Sequence, residues 1–583
     1  MTHTDVTATS GDHSSLRERP LDALVVGAGP VGLLLACELR RHGASCRIVD
    51  RSPARTDESK AVIIHARTIE HLDHLGLEQE FIGRGTLVHR VSFFQGGRRL
   101  AQLHFDRIDS RYRFVLDLPQ STTEQLLDEK LQSLGGAVER EVELVGVERE
   151  PDGVTATLRH ADGRLERTWA RYLAGCDGSH STVRDLMDTS FDGSSYEEEW
   201  ILADVKVESP PFAPDEASIY AEPGHFLAVF PLPAQRWRLI AVRKVAAPDE
   251  PMDPATLTEF EALLLHHVGE PVRLFDEAWV TPFRIGHRHA THLRDGDVFL
   301  CGDAAHIRSQ VSGQGMNTGL QDAANLGWKL ALACLGRARP GLLDTYEVER
   351  LPAIKKTLFG TDAATRAVTR RHTAGQHAVN KLARLFLGFE PVQDYLTRNI
   401  SETEINYRDG GCVSSFYAEH AAPRVSLRRR NTVPGDHAPD APHLETVPEG
   451  RQVRLYDLLR HPGHTAVLLQ GERVPSPPAA EAAEFVRSLQ TRFGDEVRPV
   501  AVRVRNDWSG RDLGVPLLHD VDGEMHHAYD SEQASVYLVR PDGYLGFRAD
   551  WADRRALIEF LETYLVATPV DASASKREPI VGS

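Results

Sequence analysis

The chain has 583 residues, with 67 Lys and Arg against 84 Asp and Glu, a formal net charge of -17. That length holds about three domains with sizeable cores, and the acidic balance argues against nucleic acid or an anionic membrane as partner. Six cysteines with no C-x-x-C and no metal-ligand spacing predict free, buried thiols, no metal site and a reducing, cytoplasmic setting.

Residues 1–20 are polar and lack the apolar core of a signal peptide, so a disordered leader is expected. Ala23 to Val26 reads as a buried strand, Leu33 to His42 as a helix ended by Gly43, and Cys46 to Val49 as a strand closing on Asp50. Between the first strand and the helix stands Gly27-Ala28-Gly29-Pro30-Val31-Gly32, a G-x-G-x-x-G. In that context the spacing signals a dinucleotide site. Gly27 allows the tight turn, Gly29 lets backbone approach a pyrophosphate, and Gly32 lets the helix pack on the strand. The helix N-terminus receives phosphate, and Asp50 can accept bonds from ribose hydroxyls. These residues alone leave NAD and FAD both open.

Farther along, Arg51 to Lys60 is a polar loop, and Ala66 opens a helix to about Leu75. Ser92 to Phe105 reads as strands around Gly96-Gly97. Ser121 and Glu124 have the spacing of a capping box for a helix reaching Leu134. Val142 to Val147 and Val154 to Arg159 alternate as a hairpin, and a later strand ends at Asp177-Gly178. From Trp200 to about Val280 strand-like runs predict a mostly antiparallel inserted sheet. Asp297 to Leu300 is an apolar strand before Gly302-Asp303, and the loop Ser312-Gly313-Gln314-Gly315-Met316-Asn317 feeds a long helix from Thr318 to Leu335. The expected division is a leader at 1–20, a Rossmann-like α/β domain with helical extension at 21–199 and 289–410, the inserted sheet at 200–288, a linker at 411–432, a compact α/β unit at 433–566 and a flexible tail at 567–583.

Gly27 to Gly32, Asp177-Gly178 and Gly302-Asp303 with its glycine loop, in this order, resemble the single-component class A flavoprotein monooxygenases, aromatic hydroxylases related to p-hydroxybenzoate hydroxylase and phenol hydroxylase. The resemblance covers about residues 21–399, and the C-terminal unit resembles the thioredoxin-like domain of the phenol-hydroxylase branch. It implies noncovalent FAD, NADPH or NADH as co-substrate, O2, a flavin C4a-hydroperoxide, and hydroxylation of a phenolic or polyketide-like small molecule by a monomer or homodimer. Asp303 is expected at the ribityl hydroxyls. Gly313 and Gly315 remove side chains where backbone meets the flavin, and the helix behind them directs its positive end at the flavin N1–C2=O edge. Pro30, Val31, Arg51, Met316 and Asn317 belong to the same expected cofactor shell. By resemblance, Asp177 serves flavin and pyridine nucleotide, Arg67 lies near the pyrophosphate, and Gln120 contacts the flavin.

The expected substrate side comprises Tyr220, His225, Phe230, Phe283, Arg284 and Arg288, with His287, His289 and His306 as tempting bases more often merely hydrogen-bonded. The family's loop after Ala-His commonly has a proline where this chain has Gln310 and a glycine where it has Ser312. Gln310 adds two donors and an acceptor there. Gln310, Arg288, His225 and Tyr220 are therefore the expected catalytic residues. Competing readings are a Baeyer–Villiger oxygenase acting on a polycyclic ketone and a flavin-binding protein without turnover. No cysteine follows Cys412, so the C-terminal unit cannot perform dithiol exchange.

Overall fold

The first apolar run folds as strand Leu21–Val26 in a computed structural model that describes residues 21–567, apart from 57, 109, 223, 246–250, 309–312, 370–389, 417–431, 474–475, 506–507 and 509–512. The expected leader and nearly all of the expected tail lie outside the described residues. Leu21–Val26 has parallel neighbours on both sides, Cys46–Asp50 and Leu165–Gly175. Val138–Arg140 and Val298–Leu300 extend the parallel sheet. The expected hairpin is present as Val142–Glu150 and Gly153–His160. A strand covered on both faces needs a continuous apolar run, and Ala23 to Val26 are all buried.

Helix Pro30–Arg41 carries proline in its first turn, where no N–H is missed. It packs on helix Gln314–Cys334 so closely that a Cβ on Gly327 would lie 2.6 Å from Cβ of Glu38. The second helix begins four residues before the expected Thr318, because Gly313 takes its N-cap position with φ +64. The expected capping box at Ser121 is not formed. Helix Gln120–Ser133 starts one residue earlier, which puts Ser121 inside the first turn, and Gln120 bonds Glu124 instead.

The second sheet runs in the order His306–Ile307, Leu274–Ala290, Phe191–Val207, Arg236–Val245, His225–Leu232, Glu216–Glu222, Arg90–Gln95 and Arg98–His104. It reaches beyond the expected 200–288, drawing in both strands around Gly96-Gly97. Its neighbours are antiparallel except Glu216–Glu222 beside Arg90–Gln95. Side chains alternate between faces. Trp200, Leu202, Phe226, Ala228 and Phe230 join the core shared with the parallel sheet. Ile201, Ala203, Leu227 and Val229 face the other way, against helix Leu257–Val268.

A third sheet has the order Ser414–Phe416, Leu545–Asp550, Ser535–Val539, His464–Leu469, Val497–Arg503, Leu517–Asp520, Leu444–Val447 and Gln452–Val453. Helices Ala479–Phe493 and Ala556–Tyr564 cover it. This mixed α/β unit is joined to the rest through buried charge. Arg540 donates from Nη1 and Nη2 to the two carboxylate oxygens of Glu349, at 2.7 and 2.8 Å, and Lys329 Nζ donates to the same carboxylate at 2.7 Å. All three side chains are fully buried. Burial alone would raise the Glu349 pKa, but Arg540 and Lys329 hold it down to about 2. Among the described residues no helix is long and apolar enough to cross a membrane.

Removing one partner of such a pair strands the other charge. Arg540→Ala is expected to cost about 3–5 kcal/mol, read as a lower thermal midpoint. Because the Glu349 pKa is depressed, the stability it confers is complete above its ordinary value of 4.5 and is lost as pH falls through about 2. Arg540→Ala should flatten that acid-side loss; an unchanged acid profile would contradict the assignment.

Candidate functional site

The parallel strands end at one edge, and the segments singled out in the sequence leave from it. Gly27 to Gly32 follows Leu21–Val26, Asp50 closes Cys46–Asp50, Asp177 follows Leu165–Gly175, and Asp303 follows Val298–Leu300. In open α/β sheets ligands bind outside this carboxyl edge. Here a cavity of about 490 Å³ lies there. Gly27, Gly29, Pro30, Val31, Asp50, Arg51, Gln120, Asp177, Asp303, Gly313, Gly315 and Met316 all line it. Phe230, Arg238, Ile240 and Arg284 from the second sheet close it.

Each glycine of the first turn has its own reason. Gly27 has φ +100, and a Cβ there would meet the Cys176 carbonyl oxygen at 2.3 Å. A Cβ on Gly32 would meet the Gly27 carbonyl oxygen at 1.9 Å, so Gly32 serves packing and does not line the cavity. A Cβ on Gly29 would meet nothing within 4 Å. Its free side faces the cavity at the helix N-terminus. Asp50 is aimed by backbone, taking the Ala28 N–H at 2.7 Å and the Ser52 N–H at 2.8 Å. Asp177 accepts from Ser181 Oγ at 2.5 Å and the Val183 N–H at 3.1 Å, so it also braces its own helix. Asp303 is exposed to the cavity, and the protein packed around it raises its pKa above the ordinary value.

Gly302, with φ +62, packs behind Asp303 on Val31. Asn317 is buried and structural: its Oδ1 accepts the His65 N–H, and its Nδ2 donates to the carbonyls of Ile63 and Gly313. The Gly302 N–H donates to Asp322 Oδ2 at 3.1 Å. His306 Nε2 lies 2.7 Å from the same oxygen, and Arg350 Nε donates to Oδ1 at 2.7 Å. His306 is thereby a buried strut.

Several of the expected site residues lie outside the cavity lining. Arg67 does not line the cavity. It is buried at the joint with the C-terminal unit, where it donates to Glu70 and to the Asp542 carbonyl and lies 4.5 Å over the Tyr544 ring. Tyr220 sits on the outer face of the second sheet, stacked on Phe94 at 4.8 Å, because strand parity sends it away from Phe230. His225 and Arg288 are exposed and outside the lining, and the half-buried His287, His289 and Phe283 lie outside it as well. Gln310 and Ser312 lie outside the described residues.

The structure adds arginines that the sequence reading passed over. Arg308 is 5% exposed and lines the cavity, and none of its three guanidinium nitrogens has a hydrogen-bond partner among the described residues. Burial lowers its pKa to about 10, so it stays charged at neutral pH. A buried cation in that state costs several kcal/mol until an anionic group meets it. Arg308 stands two residues after His306 with no motif to mark it. Arg238, also at the cavity, is held by both carboxylate oxygens of Asp204 at 2.7 and 2.6 Å.

The groups present fit a flavin dinucleotide. The open face of Gly29 leaves room for pyrophosphate, Asp50 and Asp303 offer acceptors to the cavity, and Arg308 supplies a buried cation in its lining. Residues 20–361 match the family model described as FAD binding domain, and residues 431–567 match the one described as aromatic-ring hydroxylase, C-terminal. The chain is 32% identical over 552 residues to pentachlorophenol 4-monooxygenase of Sphingobium chlorophenolicum, covering 93% of this chain and 96% of that protein. It is 33% identical over 528 residues to 6-methylpretetramide 4-monooxygenase of Streptomyces rimosus, covering 90% and 89%. The solved structure of the anhydrotetracycline hydroxylase from Streptomyces rimosus superposes with a TM-score of 0.71 at 29% identity, covering 94% of this chain and 99% of that one.

The glycine geometry separates folding from binding. Gly29→Ala is expected to keep the thermal midpoint while weakening FAD affinity by about tenfold or more, roughly 1.4 kcal/mol. Gly32→Ala should lower the midpoint itself. Equal loss of stability in both variants would count against the assignment of Gly29 to the ligand.

Proposed function

The chain belongs to the FAD-dependent aromatic-ring hydroxylases, and from that membership we propose that it hydroxylates a phenolic or polyketide-like aromatic small molecule, with NADPH or NADH as reductant and O2 as the oxygen source. The observation that carries this reading is one cavity shared by the glycine–acid edge of the parallel sheet and the inner face of the second sheet, lined also by Arg308, whose guanidinium has no hydrogen-bond partner among the described residues. Relatives named for a chlorophenol and for a tetracycline-type polycycle support the substrate class.

When bound, FAD supplies hydride acceptance and oxygen activation. The chain does the rest. Gly29 and the N-terminus of helix Pro30–Arg41 take the pyrophosphate, Asp50 orients a ribose, and Asp303 takes ribityl hydroxyls. Arg308 lays its stem beside Gly315, at the start of helix Gln314–Cys334. The helix dipole and the guanidinium together favour negative charge at that wall. Phe230, Ile240 and Ile285 give an aromatic substrate an apolar wall and keep water out. Arg238 and Arg284 bring cations into the lining from the second sheet, where an ionised phenol would meet them.

We further assign the C-terminal unit a thioredoxin-like fold. Parallel His464–Leu469 and Val497–Arg503, followed by antiparallel Ser535–Val539 and Leu545–Asp550, support it. Its role is structural, as a packing or dimerisation surface, since without a cysteine after Cys412 it cannot exchange dithiols. All six cysteines are free, which suits a reducing cytoplasm.

The purified protein is expected to release free FAD on acid precipitation. A phenolic polycycle should accelerate NADPH consumption and yield a phenol carrying one labelled oxygen from O2. Label inserted as an ester oxygen, or NADPH consumption indifferent to every phenol, would overturn the reading. Arg308→Gln should keep FAD content but lower the midpoint potential of the bound flavin by about 30 mV or more, a tenfold change for a two-electron couple. An unchanged potential would show that this cation does not face the flavin.

A further inference from the structure

We propose that Glu222, His225, His266 and His267 form a binding site for a borderline divalent transition-metal ion of the Zn(II) class, on the outer face of the second sheet. Glu222 ends strand Glu216–Glu222, and His225 begins strand His225–Leu232 as its cross-strand partner. His266 and His267 occupy the last turn of helix Leu257–Val268, which Gly269 ends with φ +87. The residues thus converge from a hairpin and a helix.

Donor atoms of Glu222, His266 and His267 all lie within 4.8 Å of one another. His266 Nε2 is 3.2 Å from Glu222 Oε2, and His267 Nδ1 is 4.0 Å from Glu222 Oε1. Donors around a tetrahedral zinc with bonds near 2.05 Å stand about 3.3 Å apart, so modest rotamer changes close the set. The His225 ring centroid is 5.0 Å from that of His266 and 6.5 Å from that of His267, which makes it the fourth ligand in reach. Imidazole with carboxylate suits Zn(II) and its neighbours rather than Mg(II) or Ca(II).

The surroundings resemble a prepared site more than a surface ion pair. His267 is 2% exposed, and the ring nitrogen it turns to Glu222 is Nδ1. Glu222 is oriented by the Gly96 N–H, which donates to Oε1 at 2.9 Å, an outer contact of the kind that steadies metal ligands. The negative end of the helix dipole faces the same spot and favours a cation.

Tyr220 packs on His267 at 5.5 Å and belongs to the outer core, so this site is separated from the cavity by the sheet itself. An ion there would strap helix Leu257–Val268 to the hairpin and stiffen the sheet that forms the cavity's far wall.

The test uses the full-length, FAD-loaded protein after dialysis against a chelator. Calorimetric titration with Zn(II) should show one saturable ion per chain that wild type binds and the double variant His225→Ala, His266→Ala does not. Both substituted residues are exposed, so the fold and the flavin spectrum should be retained. The affinity loss should exceed roughly 100-fold, since even outer partners of a metal are worth about 10–100-fold. Zn(II) should raise the thermal midpoint of wild type and leave that of the variant unmoved. Absence of saturable binding to wild type, or zinc binding retained in full by the double variant, overturns the proposal.

Discussion

Three glycines set the distance at which this molecule's main segments can meet. At Gly32 a β-carbon would collide with the Gly27 carbonyl at 1.9 Å, at Gly319 with Val31 at 2.7 Å and Gly302 at 2.9 Å, and at Gly327 with Glu38 at 2.6 Å. Together they stack the first turn, the Gly302-Asp303 loop and the two long helices in near-backbone contact. That stacking brings two helix N-termini to one edge of one sheet. Two positive dipole ends and two cavity-facing carboxylates, Asp50 and Asp303, then follow without further device.

Behind the edge stands a scaffold of buried charge. Asp322 ties Gly302, His306 and Arg350 together, and Arg350 continues through the Tyr407 hydroxyl to Tyr544 of the C-terminal unit, whose ring lies 4.2 Å from that of Tyr407. Arg67 reaches the same tyrosine from the other side. Isolated buried charges are costly, and here each has partners from a different part of the chain. The C-terminal unit thus completes the support of the glycine loop without entering the cavity. A conspicuous arginine in the N-terminal third thus serves the joint and does not line the cavity.

The second sheet presents two chemistries through one alternation. Phe230 and Tyr220 both read as aromatic lining in sequence, yet Phe230 faces the cavity and Tyr220 the outer helix. The inner face is apolar with arginines at its margin. The outer face ends in the cluster of Glu222, His225, His266 and His267.

The sequence by itself determined the parallel sheet, its first turn, the acid at each strand end and the family. These rest on local spacing: a glycine at a fixed offset either relieves a clash or does not, and an apolar run either fills a strand or does not. It also determined the strands around Gly96-Gly97, though not the sheet they join. What tertiary structure alone decided was which side of a strand faces the cavity, which of many arginines lies unpaired, and which histidines meet. The fate of Arg67, Tyr220 and His225 turned on those facts. Arg308 carries no motif because its significance is a guanidinium without hydrogen-bond partners among the described residues, a property of the surrounding shell. The histidine–glutamate cluster joins residues some 40 positions apart, Glu222 and His266, and no ligand spacing exists for a site whose donors are brought together by a hairpin and the end of a helix. Local sterics are written in local sequence; burial, facing and pairing are sums over contacts that exist once the chain has folded.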